Sequence, residues 1–120
     1  ITLTALQERF HQPLRLAAEG LNISVARLLK VCRSFAILRW PYRQVRSLRE
    51  ALAEVRKDMS VAAAAGQSAT ALQQLQRLFD LYLRKEELVV LFASRGLEAP
   101  VRELFFAWDV REMDRALVAA

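Results

Sequence analysis

The sequence is poor in turn-formers: three glycines and three prolines in 120 residues. Against 20 leucines and 19 alanines, that is too few for a sheet protein with many tight turns. Helix-favouring residues dominate, so an all-α fold is expected, with a length suited to one domain or two very small ones. A single cysteine, Cys32, excludes an internal disulfide and with it a secreted disulfide scaffold. Cys32 and the one histidine, His11, are too few for a Cys/His zinc site, so no metal or cofactor is expected. No apolar run approaches the length of a membrane-spanning helix; the longest, Leu88 to Ala93, is bracketed by Glu87 and Ser94. No signal-peptide pattern is present, and a start at Ile1 rather than Met leads one to expect a processed chain or a fragment. There are no paired carboxylates in a pocket-forming context, no nucleophile beside a base and no phosphate-cradling glycine loop. An enzyme is therefore not expected, and Glu86 and Glu87 read as a solvated helix face.

Lysine is also scarce. The 18 basic residues are 15 arginines and 3 lysines, set against 13 acids for a net charge of +5. Arginine suits planar, two-toothed contacts with phosphates and base edges. The excess is uneven. Residues 1–57 hold 11 basic and 4 acidic groups, net +7, whereas residues 58–120 hold 7 and 9, net −2. Such asymmetry points to two jobs, with the basic half meeting an anion. The boundary stretch Ser60 to Ala71 is small and uncharged and contains Gly66. It reads either as a joint, with a break over Gly66 to Ser68, or as loosely packed helix.

Apolar spacing predicts six helices. The first runs from Thr4 to His11. Pro13 opens a second, to Leu21, where its missing N–H is unneeded, and Gly20 and Asn22 mark its end. Ser24 is a good N-cap for a third, Val25 to Phe35. On this helix Val25, Leu28, Leu29, Val31, Cys32 and Phe35 fall on one arc, and Arg27, Lys30, Arg33 and Ser34 on the other. The fourth begins near Pro41 and runs to about Val61, with Val45, Leu48, Leu52, Val55 and Met59 on a heptad seam. The fifth spans 70–95, with Leu72, Leu75, Phe79 and Tyr82 on one line and Leu78, Leu81 and Leu88 beside it. Gly96 stops it and Pro100 opens a sixth, to about Val118, carrying Leu104, Phe105 and Trp108. The short link makes helices five and six an αα-hairpin.

Two short helices, a turn containing Asn22 and an amphipathic third helix match a helix-turn-helix, whose second helix enters the major groove. Arg27, Lys30 and Arg33 would then read base edges, cations being suited to guanine O6 and N7. The pattern alone is equally consistent with a solvated basic face on an ordinary helical bundle.

The segment Arg39-Trp40-Pro41-Tyr42-Arg43-Gln44 weighs on that choice. It resembles the signature of the RWP-RK family of plant and algal transcription factors. The likeness extends from about Leu6 to Leu48: Phe10-His11-Gln12-Pro13-Leu14, then Ala17-Ala18 and Leu21, then Leu28-x-Lys30-Val31-Cys32-Arg33, with Ile37 before the signature and Ser47-Leu48 after it. Four positions depart from the pattern. Gln44 stands for the final Lys of the signature, Ala36 for a common Gly, Leu29 for the first of two lysines, and Leu38 where a cation is frequent. These bear on affinity and target sequence rather than on fold.

The resemblance implies sequence-specific binding of double-stranded DNA and transcriptional regulation in the nucleus; family members act in nitrogen responses and in gamete or sexual differentiation. It carries DNA contact to Lys30, Arg33, Arg39 and Arg43, and a shaping role to Trp40 and Pro41. The helical faces add Arg27, Ser34 and Arg46. Trp40, held extended or in a turn before proline, reads as a core wedge between helices three and four. Tyr42 either packs or bonds a phosphate. Arg39, Arg43 and Arg46 with the first turn of helix four form a backbone clamp. Cys32 reads as a small buried hydrophobe, and His11 as capping or packing near the first turn.

The expected organisation is a DNA-binding domain over 1–57 and a helical dimerisation or interaction region over 58–120. A homodimer would form through Leu72, Leu75, Leu78, Phe79, Tyr82, Leu104, Phe105 and Trp108, because this half carries more apolar surface than two small helices can hide. The competing expectation is that these helices fold back and complete a monomeric core. The competing function is a helical interaction module whose basic face binds an acidic protein rather than DNA.

Overall fold

A computed structural model describes residues 1–97 and 110–119. Six helices appear in order: α1 Leu3–Gln7, α2 Leu14–Gly20, α3 Val25–Ser34, α4 Tyr42–Ala64, α5 Ala69–Ser94 and α6 Val110–Ala119. No strand occurs among the described residues, so the fold is all-α. Caps set the starts. The side chains of Thr2, Ser24 and Ser68 accept the N–H groups of Ala5, Arg27 and Ala71, each satisfying a donor that has no partner within its helix.

Four helices end alike. Residues Asn22, Ala36, Gly66 and Gly96 each take a positive φ, of 59°, 60°, 68° and 69°. After each, the next N–H turns back to the carbonyl five residues earlier, as in Ile23 to Ala18, Ile37 to Cys32, Gln67 to Ala62 and Leu97 to Phe92. This is the Schellman closure, which uses carbonyls that the helix leaves unpaired. Ala36 is the costly member, since its Cβ crowds the backbone in this conformation and a glycine's absent Cβ does not.

The predicted break at Gly66 to Ser68 is a tight turn, and it makes α4 and α5 the dominant hairpin. Arg49 Nε lies 3.1 Å from Glu86 Oε1, and the Arg56 guanidinium sits 5.5 Å over the Phe79 ring. Seven residues forward along α4 is thus seven residues back along α5, the register of an antiparallel pair. The seam Val45, Leu48, Leu52 and Val55 is buried, and α5 is the helix packed most extensively on α4. The sequence also predicts a hairpin between helices five and six. Those two do pack together, with Arg84 reaching Asp114 at 2.5 Å and Arg95 donating to the Leu117 carbonyl. The link after Leu97 and the expected start of helix six at Pro100 lie outside the described residues, as do Leu104, Phe105 and Trp108.

One cluster of buried side chains draws on both sides of residue 57. Leu6, Phe10, Ala17, Leu28, Cys32, Val45 and Leu48 meet Leu88, Val89, Phe92, Met113 and Leu117. The C-terminal half of α5 is therefore the floor on which the small helices stand. Gln7 Nε2 ties α1 to it by donating to Ser94 Oγ at 2.9 Å. The first helix is shorter than expected, giving way to turns after Gln7 rather than running to His11. No helix among the described residues is long and apolar enough to cross a membrane.

Candidate nucleic-acid interface

The third helix fixes its own orientation. Leu28 and Cys32 are buried, with Val31 and Phe35 packed at their flanks. Opposite them Arg27, Lys30, Arg33 and Ser34 are exposed. Val25 and Leu29, which periodicity assigns to the apolar arc, are instead 38% and 40% exposed. They lie at the edge of that arc, where α2 does not cover them; a wheel gives the width of an apolar face but not the width of its cover. Arg33 Nε donates to the Leu29 carbonyl at a long 3.4 Å, and Ser34 Oγ donates to the Val31 carbonyl.

The corner between α3 and α4 is held from behind. Trp40 Nε1 donates to the Gln12 carbonyl at 2.7 Å, and its ring meets Phe10 edge to face, with centroids 4.9 Å apart and planes at 87°. Such a contact combines apolar burial with a satisfied indole N–H. The tryptophan thus packs inward against the turn between α1 and α2 and on the core that α3 and α4 share. Pro41 is buried and stands at the N-cap of α4, its ring needing no N–H there. Arg39 and Arg43 project outward on either side.

The cations differ in what they already touch. Among the described residues the side chains of Arg27, Lys30, Arg39 and Arg43 have no hydrogen-bond or ion-pair partner. Arg46 is engaged: it donates to the Tyr42 hydroxyl, lies 5.7 Å over the Tyr42 ring, and pairs with Glu50 at 3.0 Å. The Tyr42 hydroxyl and then the Glu50 carboxylate push its already high pKa further up. Tyr42 therefore faces an arginine in the free protein. The result is a set of unpaired cations on α3 and its corner, bordered by paired ones further along α4. Such a surface favours an anion, because bringing it in releases mutual repulsion and breaks no salt bridge.

Cys32 and His11 serve packing. Burial pushes the Cys32 thiol pKa up, away from the reactive thiolate. His11 has its Nδ1 buried, and burial, then the Arg49 charge, pulls its pKa down. On α5 the expected dimer residues Leu72, Leu75, Leu78, Phe79 and Tyr82 are half-buried. Phe79 lies beneath Arg56 and Tyr82 packs on the core, so part of this line is used within the chain. Leu81 and Leu83 are 40% and 45% exposed.

The RWP-RK domain model matches residues 1–86, ending inside α5. Protein RKD3 of Arabidopsis thaliana is 39% identical over 51 residues, which is 42% of this chain and 18% of that protein. Protein RKD1 of the same plant is 40% identical over 48 residues, covering 40% and 18%. Protein RKD4 is 35% identical over 48 residues, covering 40% and 19%. The matched region is thus under a fifth of the length of each of these relatives. No solved structure matches. A family match over most of the chain, joined to the signature Arg39-Trp40-Pro41-Tyr42-Arg43 at a buttressed helical corner, shows that this chain belongs to the RWP-RK domain family.

Proposed function

We propose that residues 1–57 bind double-stranded DNA in a sequence-specific manner, as a nuclear transcription factor does. In this reading α2 and α3 act as a helix-turn-helix. The exposed face of α3 enters the major groove, where Arg27, Lys30, Arg33 and Ser34 meet base edges. Arg39, Arg43 and, after releasing its present partners, Arg46 grip the phosphate backbone with Tyr42 beside the start of α4. Trp40 and Pro41 hold that corner in place. The observation that carries the reading is the third helix itself: Ser24 caps it, Leu28 and Cys32 fix its rotation, and its cations face solvent without an acidic partner among the described residues.

Residues 58–120 complete the reading as the region that pairs two copies. A single helix-turn-helix contacts few bases, and such modules commonly act in twos on paired half-sites. The apolar residues that α4 leaves half-covered on α5, with exposed Leu83 beside Leu72 and Phe79, supply the surface.

Selection of bound duplexes from random DNA tests the proposal. A defined motif should emerge, repeated as two half-sites, with affinity falling steeply as salt rises. Enrichment of no motif and no salt-steep affinity for DNA, with binding to an acidic protein instead, would overturn it in favour of an interaction module.

A further inference from the structure

Two aliphatic side chains stand on the DNA-facing helix where the core does not use them. Val25, Leu29 and Arg33 follow one another at four-residue steps, so they form one row along α3. Leu29 is 40% exposed and Val25 38% exposed, while Leu28 and Cys32 alone are buried on this helix. The row borders Lys30 and Ala26, both exposed. An aliphatic group amid cations gains nothing from a phosphate. Its only apolar counterpart on the major-groove edges of the bases is the 5-methyl group of thymine.

We infer that Leu29, backed by Val25, reads a thymine methyl in the major groove, beside the guanine taken by Arg33. The inference rests on the DNA-binding reading above. The separation suits it. Four residues of helix advance about 6 Å, but Arg33 leans back toward the turn before it, its Nε donating to the Leu29 carbonyl. Leu29 and Arg33 would then reach base pairs within about two steps of each other, since these follow at about 3.4 Å along a strand.

Deoxyuridine, which differs from thymine by that methyl alone, isolates the contact. In the duplex enriched by the full chain, each thymine in turn is replaced by deoxyuridine and the affinity measured. One thymine per half-site should weaken binding about fourfold, the worth of one buried methyl group. In Leu29→Ala, an exposed position where folding is checked by the thermal midpoint, the same replacement should have no effect. Deoxyuridine tolerated everywhere by the unaltered chain, or a penalty that persists in Leu29→Ala, would overturn the inference while leaving DNA binding intact. Failure of any duplex to be enriched would overturn the DNA-binding reading and this inference with it.

Discussion

The carbonyl oxygen of Ala36 lies against Gly96, so close that a Cβ built on Gly96 would stand 2.6 Å from it. Both residues are the left-handed ends of helices, at φ 60° and 69°. The end of α3 and the end of α5 therefore abut, and the corner carrying Arg39 and Arg43 is referenced to the second half of the chain. Gly96→Ala should lower stability by about 2 kcal/mol or more, from the left-handed strain and the collision together. Ala36→Gly should raise it by about 0.5–1 kcal/mol, because relief of strain outweighs the added freedom of the unfolded chain. Urea midpoints measure both; a loss on Ala36→Gly would contradict the strain.

Trp40 joins the signature to the turn between α1 and α2. Trp40→Phe keeps an aromatic edge near Phe10 but leaves the Gln12 carbonyl without its donor, a loss of about 1–2 kcal/mol. Trp40→Ala also empties the wedge and should lose about 3 kcal/mol. In thermal melts the two variants should rank in that order. If Phe were as damaging as Ala, the hydrogen bond rather than the packing would be the main fastening.

The basic residues should divide by role. Arg33→Ala relaxes sequence preference, whereas Arg43→Ala and Arg46→Ala weaken all sequences alike and reduce the salt slope by about 0.9 each. Arg46 must first leave Tyr42 and Glu50. Glu50→Gln should therefore strengthen binding, by freeing a cation for phosphate. Titration of specific and scrambled duplexes at several salt concentrations measures each term; equal loss of specificity in Arg33→Ala and Arg46→Ala would sink the division.

His11 gives the fold a pH dependence. Burial holds its folded pKa below 6.5, so the unfolded chain takes the proton first as pH falls. Its contribution is intact above the unfolded value. Stability should decline as pH drops from about 6.5 toward the lower folded value, and then level off. Comparing urea midpoints at pH 7.5 and 5.5 for the unaltered chain and His11→Phe isolates the effect. An equal decline in the two would show that other groups carry it.

Self-association should be visible in mass. Sedimentation at micromolar concentration is expected to give twice 13.7 kDa. Leu83→Lys, at an exposed position, should return the monomer without unfolding it. A monomeric unaltered chain would count against pairing through α5.

The sequence by itself determined the helices and much of the candidate interface. Caps such as Ser24, stops such as Asn22 and Gly96, and the seam through Leu48 and Leu52 are local signals, readable because a helix repeats every 3.6 residues. The signature around Trp40 marked the corner, but the left-handed turn at Ala36 emerged only in the structure. Tertiary structure decided what each apolar face is covered by. Periodicity shows that Val45 to Met59 must be hidden but not whether α5 or another chain hides it, and antiparallel pairing with α5 supplies that cover. It likewise put Trp40 on Gln12, 28 residues away, and left Leu29 uncovered. Both outcomes depend on contacts between distant segments, about which spacing along one helix carries no information.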